Sequence, residues 1–470
     1  MNKEKHIVII GSGPGGYHAA VLLSKENHKV TIIEKAGIGG TCLNVGCIPT
    51  KALLDHVSLF EHFRESVIKK KIFHGENLSI NIERLKAFQS EVIKQLQQGL
   101  EKLLMKKQIK LIHGEAKLLA EGKIQVTSKD GNQVIFADEI IIATGSRPKS
   151  IPGFEFDGKL IVSSDHIWNI PAVPKNLLVI GSGPIGIEFA RIYNLLGSTV
   201  TISEIKEKIC PILDSEISEN LVRSLKRRGI NLKPNFATKF IEKKSDSVVV
   251  EFLSTEISEK IREEFDQVLI SVGRESNTQN LGLAECKVEL ELPDYIKVDK
   301  FLKTNVHNIW AIGDVTKFPQ LAHTASYQAR TVAANICGNN GNNREFTGSV
   351  IPSCIFGYPE IAFVGKTEEE LKDSNVSYKT GKYLFLSSGK AKASGLTEGI
   401  AKVLMDEKTK KIFGAHIIGA EASNLIHEIV IAMQNELTVE EVINSIHAHP
   451  TYSEVLLEAL EDCLGEAIHV

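Results

Sequence analysis

Two cysteines with four residues between them, Cys42 and Cys47, lie in the run Gly39-Gly40-Thr41-Cys42-Leu43-Asn44-Val45-Gly46-Cys47-Ile48-Pro49-Thr50-Lys51. A thiolate is a nucleophile, and two neighbouring thiols can cycle between dithiol and disulfide. In a regular helix, residues five apart lie about 7.5 Å along the axis and face different sides. A disulfide needs Cα atoms about 4.4–6.8 Å apart, so the pair requires a distorted backbone. Gly46 and Pro49 are the residues expected to supply it, one by permitting unusual angles and one by removing a helix donor. A loop this short makes the bond a poor stabiliser and a candidate redox couple. The other reading is two thiols packed under a cofactor. Zinc needs about four ligands in closely spaced pairs, and the chain offers no second cysteine pair; no metal is expected.

Dithiol chemistry also needs a base. The segment Ile446-His447-Ala448-His449-Pro450-Thr451-Tyr452-Ser453-Glu454 offers His449, with Glu454 spaced to hold its second ring nitrogen. Composition alone leaves His447 as an equal rival.

The elements that must position these groups announce themselves by repetition. HIVIIGSGPGGYHAAVLLSKENHKVTIIEK at residues 6–35 and NLLVIGSGPIGIEFARIYNLLGSTVTISE at 176–204 both read strand, glycine turn, helix, strand. Gly11, Gly13, Gly16 and Glu34 correspond to Gly181, Gly183, Gly186 and Glu204 at one offset, 170. The strands are continuous apolar runs, as buried parallel strands should be. In G-x-G-x-x-G the first glycine makes the turn, the second admits a pyrophosphate and the third lets helix pack on strand. The helix N-terminus favours the anion, and the acid 18 residues further on accepts from ribose hydroxyls. A carboxylate at Glu204 would repel a 2′-phosphate, so the second turn is read as an NAD site.

Between the repeats, Arg84–Lys107 has helical spacing of Phe88, Val92, Leu96, Leu100, Leu103 and Leu104, read as plain packing. Strands ending at Ala143-Thr144-Gly145-Ser146-Arg147-Pro148 and Val272-Gly273-Arg274 would finish two sheets near their crevices. A third strand end, Trp310-Ala311-Ile312-Gly313-Asp314, carries an acid that also suits a turn or helix cap. After about Gly348 the pattern changes to strands at Ile361–Val364, Lys382–Leu386, Ala401–Asp406 and Lys411–Ile418, with helices at Ala422–Asn435 and Ser453–Cys463. The fold class is therefore α/β, with two Rossmann-like dinucleotide-binding domains and a C-terminal α+β domain.

The 470 residues exceed a single core, and 55 basic against 58 acidic side chains gives a net charge of −3. No nucleic-acid or membrane partner is expected. Seven scattered cysteines suit a reducing, cytoplasmic interior better than a secreted scaffold.

GGTCLNVGCIPTK, the two GSGPxG turns, ATGSRP, AIGDV and HAHPTYSE together resemble the class I flavin disulfide oxidoreductases, over nearly the whole chain. The resemblance is strongest to the branch that oxidises protein-bound dihydrolipoamide with NAD+. It implies FAD on Gly11, Gly13, Gly16, Glu34, Thr41, Lys51, Gly114, Thr144, Gly145, Ser146, Asp314, Leu321, Ala322 and His323. It implies NAD on Gly181, Gly183, Gly186, Glu188, Glu204 and Gly273, with Lys51 and Glu188 an ion pair beside the flavin. Cys42 would exchange with substrate, Cys47 would face the flavin, and His449, held by Glu454, would act as base from the partner subunit. The implied domains are 1–150 for FAD, 151–274 for NAD, 275–347 completing the FAD site and 348–470 for dimerisation. The implied partners are a second copy of the chain and the lipoyl domains of 2-oxo acid dehydrogenase or glycine cleavage complexes. Tyr358 departs from the resemblance, standing where relatives often carry histidine. Rival readings are a glutathione-type reductase, which would want arginines for NADP where this chain has Glu204, and a flavin-binding subunit without disulfide chemistry.

Overall fold

The computed structural model describes residues 4–68, 70–75, 78–120, 122–169, 172–338 and 343–469. The chain forms two compact units, Met1–Leu53 with Asn81–Lys149 and Arg274–Gly348, and Leu54–Ile80 with Ser150–Gly273 and Ser349–Val470.

The first unit is built on a five-stranded parallel sheet in the order Ile309–Ala311, Glu139–Ile142, His6–Ile10, Lys29–Glu34, Lys110–His113. Ile7, Val8 and Ile9 are fully buried, which is why the central strand reads as an unbroken apolar run. The helix Pro14–Lys25 follows it, with Gly13 as its N-cap in extended conformation and no side-chain cap. A Cβ on Gly16 would meet the Gly11 carbonyl oxygen at 2.0 Å, so the helix approaches the strand end as closely as backbone allows. A three-stranded antiparallel sheet, Glu115–Leu119, Lys123–Ser128 and Gly131–Phe136, completes the unit with the short pair Ser146–Pro148 and Arg274–Ser276.

The second unit repeats the plan. Its parallel sheet runs Asn231–Lys233, Thr199–Ser203, Asn176–Ile180, Gln267–Ile270, Ile161–Val162. The helix Pro184–Leu195 starts from Gly183, again extended and without a side-chain cap. The same unit holds a five-stranded antiparallel sheet in the order Ser353–Ile355, Glu360–Gly365, Ile412–Gly419, Ile400–Asp406, Tyr378–Leu384. The helices Ala422–Gln434 and Ser453–Leu464 pack on it through Leu425, Ile426, Ile429, Val455, Leu456 and Leu460.

The helix expected near Arg84–Lys107 runs Ile82–Lys106, capped by the Asn81 side chain, which accepts from the Arg84 amide. Its buried face is Leu85, Gln89, Leu100 and Leu104, while Phe88, Leu96 and Leu103 are exposed. Three of the six expected positions therefore remain exposed. Spacing shows which residues share a face; it does not show what covers that face.

Candidate active site

Around the two cysteines the backbone forms two short helical segments meeting at a break. Gly40–Asn44 carries Cys42, and Cys47–Ile68 begins with Cys47. The break falls at Val45 and Gly46, whose amides both reach the Thr41 carbonyl, at 3.0 and 2.7 Å. Gly46 is needed for space more than for angle, since a Cβ there would lie 3.1 Å from that carbonyl. Pro49 does not distort the chain as expected. It sits in the first turn of Cys47–Ile68, where a helix needs no internal donor. Asn44 ties the loop from within, its Nδ2 donating to the carbonyls of Gly40 at 2.7 Å and Ile38 at 3.0 Å. Gln97 donates to Asn44 Oδ1 at 2.5 Å, and Gln89 donates to the Pro49 carbonyl at 3.2 Å. The helix Ile82–Lys106 thus holds the thiol loop through polar side chains that an apolar pattern hides.

Cys42 and Cys47 stand as thiols. The Cys42 thiol is pushed well above its ordinary value by its hydrogen bond with Cys47 and then by burial, against the weaker pull of the Lys51 ammonium. Tyr17, unnoticed in the sequence, lies close enough that burial and Cys42 together push its phenol up.

The glycine turn lies beside this loop: a Cβ on Gly40 would meet Gly13 Cα at 2.7 Å. Glu34 accepts from the Ser12 amide and hydroxyl at 2.8 and 2.7 Å and from the Ala36 amide at 2.8 Å. The Gly114 amide caps the Glu34 carbonyl at 2.9 Å. Thr144, Gly145 and Ser146 are clasped by residues the sequence did not single out. Thr144 Oγ1 donates to the Asn277 carbonyl at 2.8 Å, the Asn277 amide donates to the Gly145 carbonyl at 2.9 Å, and Arg274 donates to Ser146 Oγ and its carbonyl at 2.7 and 2.8 Å. Ser146 Oγ in turn donates to Asp314 at 2.5 Å. Burial raises the Asp314 carboxyl, outweighing Ser146 and Arg274. Leu321, Ala322 and His323 open the helix Ala322–Cys337, with Leu321 as its N-cap. Beside them Gln320 Nε2 and Thr324 Oγ1 are buried without a hydrogen-bond partner. Buried polar atoms seek partners, so this end of the sheet fits a polar ligand that the chain itself does not provide.

In the second unit Glu204 accepts from the Ser182 amide and hydroxyl at 3.0 and 2.7 Å and from the Lys206 amide at 3.1 Å. A Cβ on Gly183 or on Gly273 would meet nothing within 4 Å, so the space before the helix is open. Glu188 is buried and accepts from the Phe356 amide at 3.0 Å. His449 Nδ1 lies 2.7 Å from Glu454 Oε1, and the Thr451 amide donates to Glu454 Oε2 at 2.8 Å. Burial pushes the Glu454 carboxyl up, but His449 and Thr451 outweigh it and hold it below its ordinary value. The structure separates the two histidines. The His447 side chain is 9% exposed, with Nδ1 on the Ser445 carbonyl and Nε2 3.5 Å from Glu428, whereas the His449 side chain is 78% exposed. Nε2 of His449 is the ring nitrogen that Glu454 does not hold.

A chain with such parts moves electron pairs between sulfur and a nucleotide cofactor. It belongs to the pyridine nucleotide-disulphide oxidoreductase family, whose model matches residues 5–329, and residues 351–460 match the dimerisation domain of the same family. It is 38% identical over 99% of its length to dihydrolipoyl dehydrogenase 2 of Arabidopsis thaliana, covering 92% of that protein. It is 36% identical to the dihydrolipoyl dehydrogenase of Geobacillus stearothermophilus, covering 99% of this chain and 98% of that one. Among solved structures it resembles LpdA of Mycobacterium tuberculosis with a TM-score of 0.89 and 27% identity, covering 97% and 99% of the two chains. As a member of this family it is an oxidoreductase that uses FAD and NAD. Among the described residues no helix is long and apolar enough to cross a membrane, and no cluster of three or more metal-ligating side chains occurs.

Proposed function

We propose that the enzyme is a dihydrolipoamide dehydrogenase: it oxidises dihydrolipoamide carried on a lipoyl domain and reduces NAD+. The observation that carries this reading is the thiol pair set across a helix break and packed against the first glycine turn. FAD is assigned to that turn with Thr41, Lys51, Gly114, Thr144–Ser146, Asp314 and Leu321–His323. NAD is assigned to the second turn with Glu188, Glu204 and Gly273. The domains are assigned as 1–150, 151–274, 275–347 and 348–470. The working form is a homodimer in a cytoplasmic setting, and its lipoyl partners belong to 2-oxo acid dehydrogenase or glycine cleavage complexes.

Turnover starts with Cys42 and Cys47 as a disulfide. A substrate thiol gives its proton to Nε2 of His449 from the other subunit, and its sulfur attacks Cys42. The Cys42–Cys47 bond breaks and Cys47 leaves as the thiolate. The second substrate thiol attacks the substrate sulfur of the mixed disulfide, closing the cyclic lipoyl disulfide and releasing Cys42. The imidazolium protonates Cys42 as it leaves, the freed ring takes the proton of the second substrate thiol and later releases it, and Glu454 keeps the ring oriented throughout. Bound FAD supplies the carrier that takes the two electrons from the dithiol to NAD+. Dihydrolipoamide and NAD+ thus become lipoamide, NADH and a proton. The break between the helical segments lets the two sulfurs approach.

The test compares dihydrolipoamide with NAD+ and NADP+, and glutathione disulfide with NADH and NADPH. NAD+-linked dihydrolipoamide oxidation is expected to dominate. Preferential NADPH-linked reduction of glutathione disulfide would overturn the assignment.

A further inference from the structure

Glu204 is not simply a carboxylate at a strand end; the fold aims it. Its Oε2 takes both bonds from Ser182, and the Lys206 amide takes Oε1. Ser182 is fully buried and its hydroxyl has one proton to give. The Cys210 amide donates to that hydroxyl at 2.8 Å, which directs the single proton to Glu204. The peptide that supplies this amide is held at its other end too, because Ser218 Oγ donates to the Ile209 carbonyl at 2.5 Å. Donors therefore run one way, from the helix Ser215–Arg227 through the Ile209–Cys210 peptide and Ser182 to Glu204.

Two features mark the relay as more than a satisfied core. Cys210 holds φ at +50° although it is buried and carries a side chain, a conformation that persists only where surrounding structure imposes it. The first unit builds the same relay from the equivalent serine and glutamate, with a different amide at its head. There the Gly39 amide donates to Ser12 Oγ at 3.0 Å, and Ser12 Oγ donates to Glu34 at 2.7 Å. In that unit the left-handed residue is a glycine, with φ +93°; in the second the position is filled by cysteine at a strain cost.

We propose that Ser182, directed by the Cys210 amide and Ser218, is a specificity-determining positioning residue that locks Glu204 against the adenosine ribose. So held, Glu204 accepts from a free 2′,3′-diol and excludes a 2′-phosphate. This rests on the assignment of NAD to the second turn. Without the Ser182 hydroxyl, Glu204 keeps its two amide donors but can turn aside, and Lys206 is left near an incoming phosphate.

The test is calorimetric titration of the FAD-loaded protein with ADP-ribose and 2′-phospho-ADP-ribose, neither of which can be reduced. Ser182→Ala is expected to lower the preference for ADP-ribose about tenfold, as for one hydrogen bond to a charged group. Ser218→Ala, one bond further up the relay, is expected to lower it about threefold and gives a second reading should Ser182→Ala not fold. Glu204→Ala is expected to remove most of the preference, and adding Ser182→Ala to it should change nothing more. An unchanged preference in Ser182→Ala, or in Ser218→Ala, would overturn the relay. So would a further fall of the same size in the double variant, which would mean that Ser182 acts apart from Glu204. An unchanged preference in Glu204→Ala would instead overturn the assignment of the nucleotide to this turn.

Discussion

The two glycine turns have the same backbone and the same serine-held carboxylate, yet only the first bears the dithiol. The difference begins just after the acid. Beyond Glu34 the chain runs through Gly37, Ile38, Gly39 and Gly40 straight into Cys42, and Gly40 packs on Gly13. Beyond Glu204 it runs through a strained turn at Cys210 into the helix Ser215–Arg227, and the space at Gly183 stays open. One supersecondary unit, used twice, is covered by a thiol-bearing segment at its first turn and left open at its second. Function follows from the segment grafted on the unit, not from the unit.

Removing the covering chemistry should have the largest effect. Cys47→Ser is expected to lower dihydrolipoamide-dependent NADH formation by at least about 1,000-fold, since the remaining thiol cannot close a disulfide. Wild-type rates would break the contrast between the turns. His449→Ala is expected to slow the same reaction about 100- to 10,000-fold, the usual loss for a general base, while FAD content stays unchanged. Glu454→Gln should slow it less, because the ring keeps its nitrogens and loses only its orienting charge.

The turns themselves can be compared by adding one methyl to each. Gly40→Ala meets backbone at 2.7 Å at a residue with φ +62°, and is expected to cost about 1–3 kcal/mol in thermal unfolding and to lower FAD retention. Gly183→Ala meets nothing and keeps an ordinary φ, so unfolding should be nearly unchanged while affinity for ADP-ribose falls. Equal thermal losses in both variants would contradict the covered-versus-open distinction.

Acid should separate the two units more subtly. In the second unit, burial pushes Glu368 up, but Lys402, Lys372 and Tyr378 outweigh it and hold it down at about 2. Glu369 is also held at about 2, where the Ser215 side chain and amide outweigh burial. Their folded values lie below the ordinary 4.5, so the stability they contribute is complete above that pH and is lost as pH falls towards 2. Asp314 in the first unit is shifted the other way by burial, so its protonation at low pH favours the folded form. Thermal scans from pH 6 to pH 3 should show unfolding temperature falling, with a shallower fall in Glu368→Gln. A slope unaffected by that substitution would show that the Lys402 cluster does not govern acid sensitivity.

Much of this was readable in advance because it is local. Continuous apolar strands, turn glycines and an acid at fixed spacing are properties of a single βαβ segment, and the repeat at offset 170 doubled the signal. The thiol pair and His449 with Glu454 were likewise adjacent in sequence. What escaped reading was contact between distant segments. Asn277 and Arg274 clasp Thr144–Ser146 from about 130 residues away, and Gln97 reaches Asn44 across a separation of 53. Pro49 sits in a first turn and does not break the chain, because whether a proline breaks or begins a helix depends on where the helix starts, and Cys47 starts it. Leu54–Ile80 follows the thiols in sequence but groups with the second unit, a division no spacing records.

Sequence alone determined the repeated strand–turn–helix units, the close cysteine pair and the acidic residue at each strand end, because those depend on side-chain type and near-neighbour spacing. Only the tertiary structure decided which histidine side chain is exposed, which turn is covered, and which serine bonds each carboxylate. Those outcomes depend on burial and on the direction of single hydrogen bonds, and both are set by residues that meet only after the chain has folded.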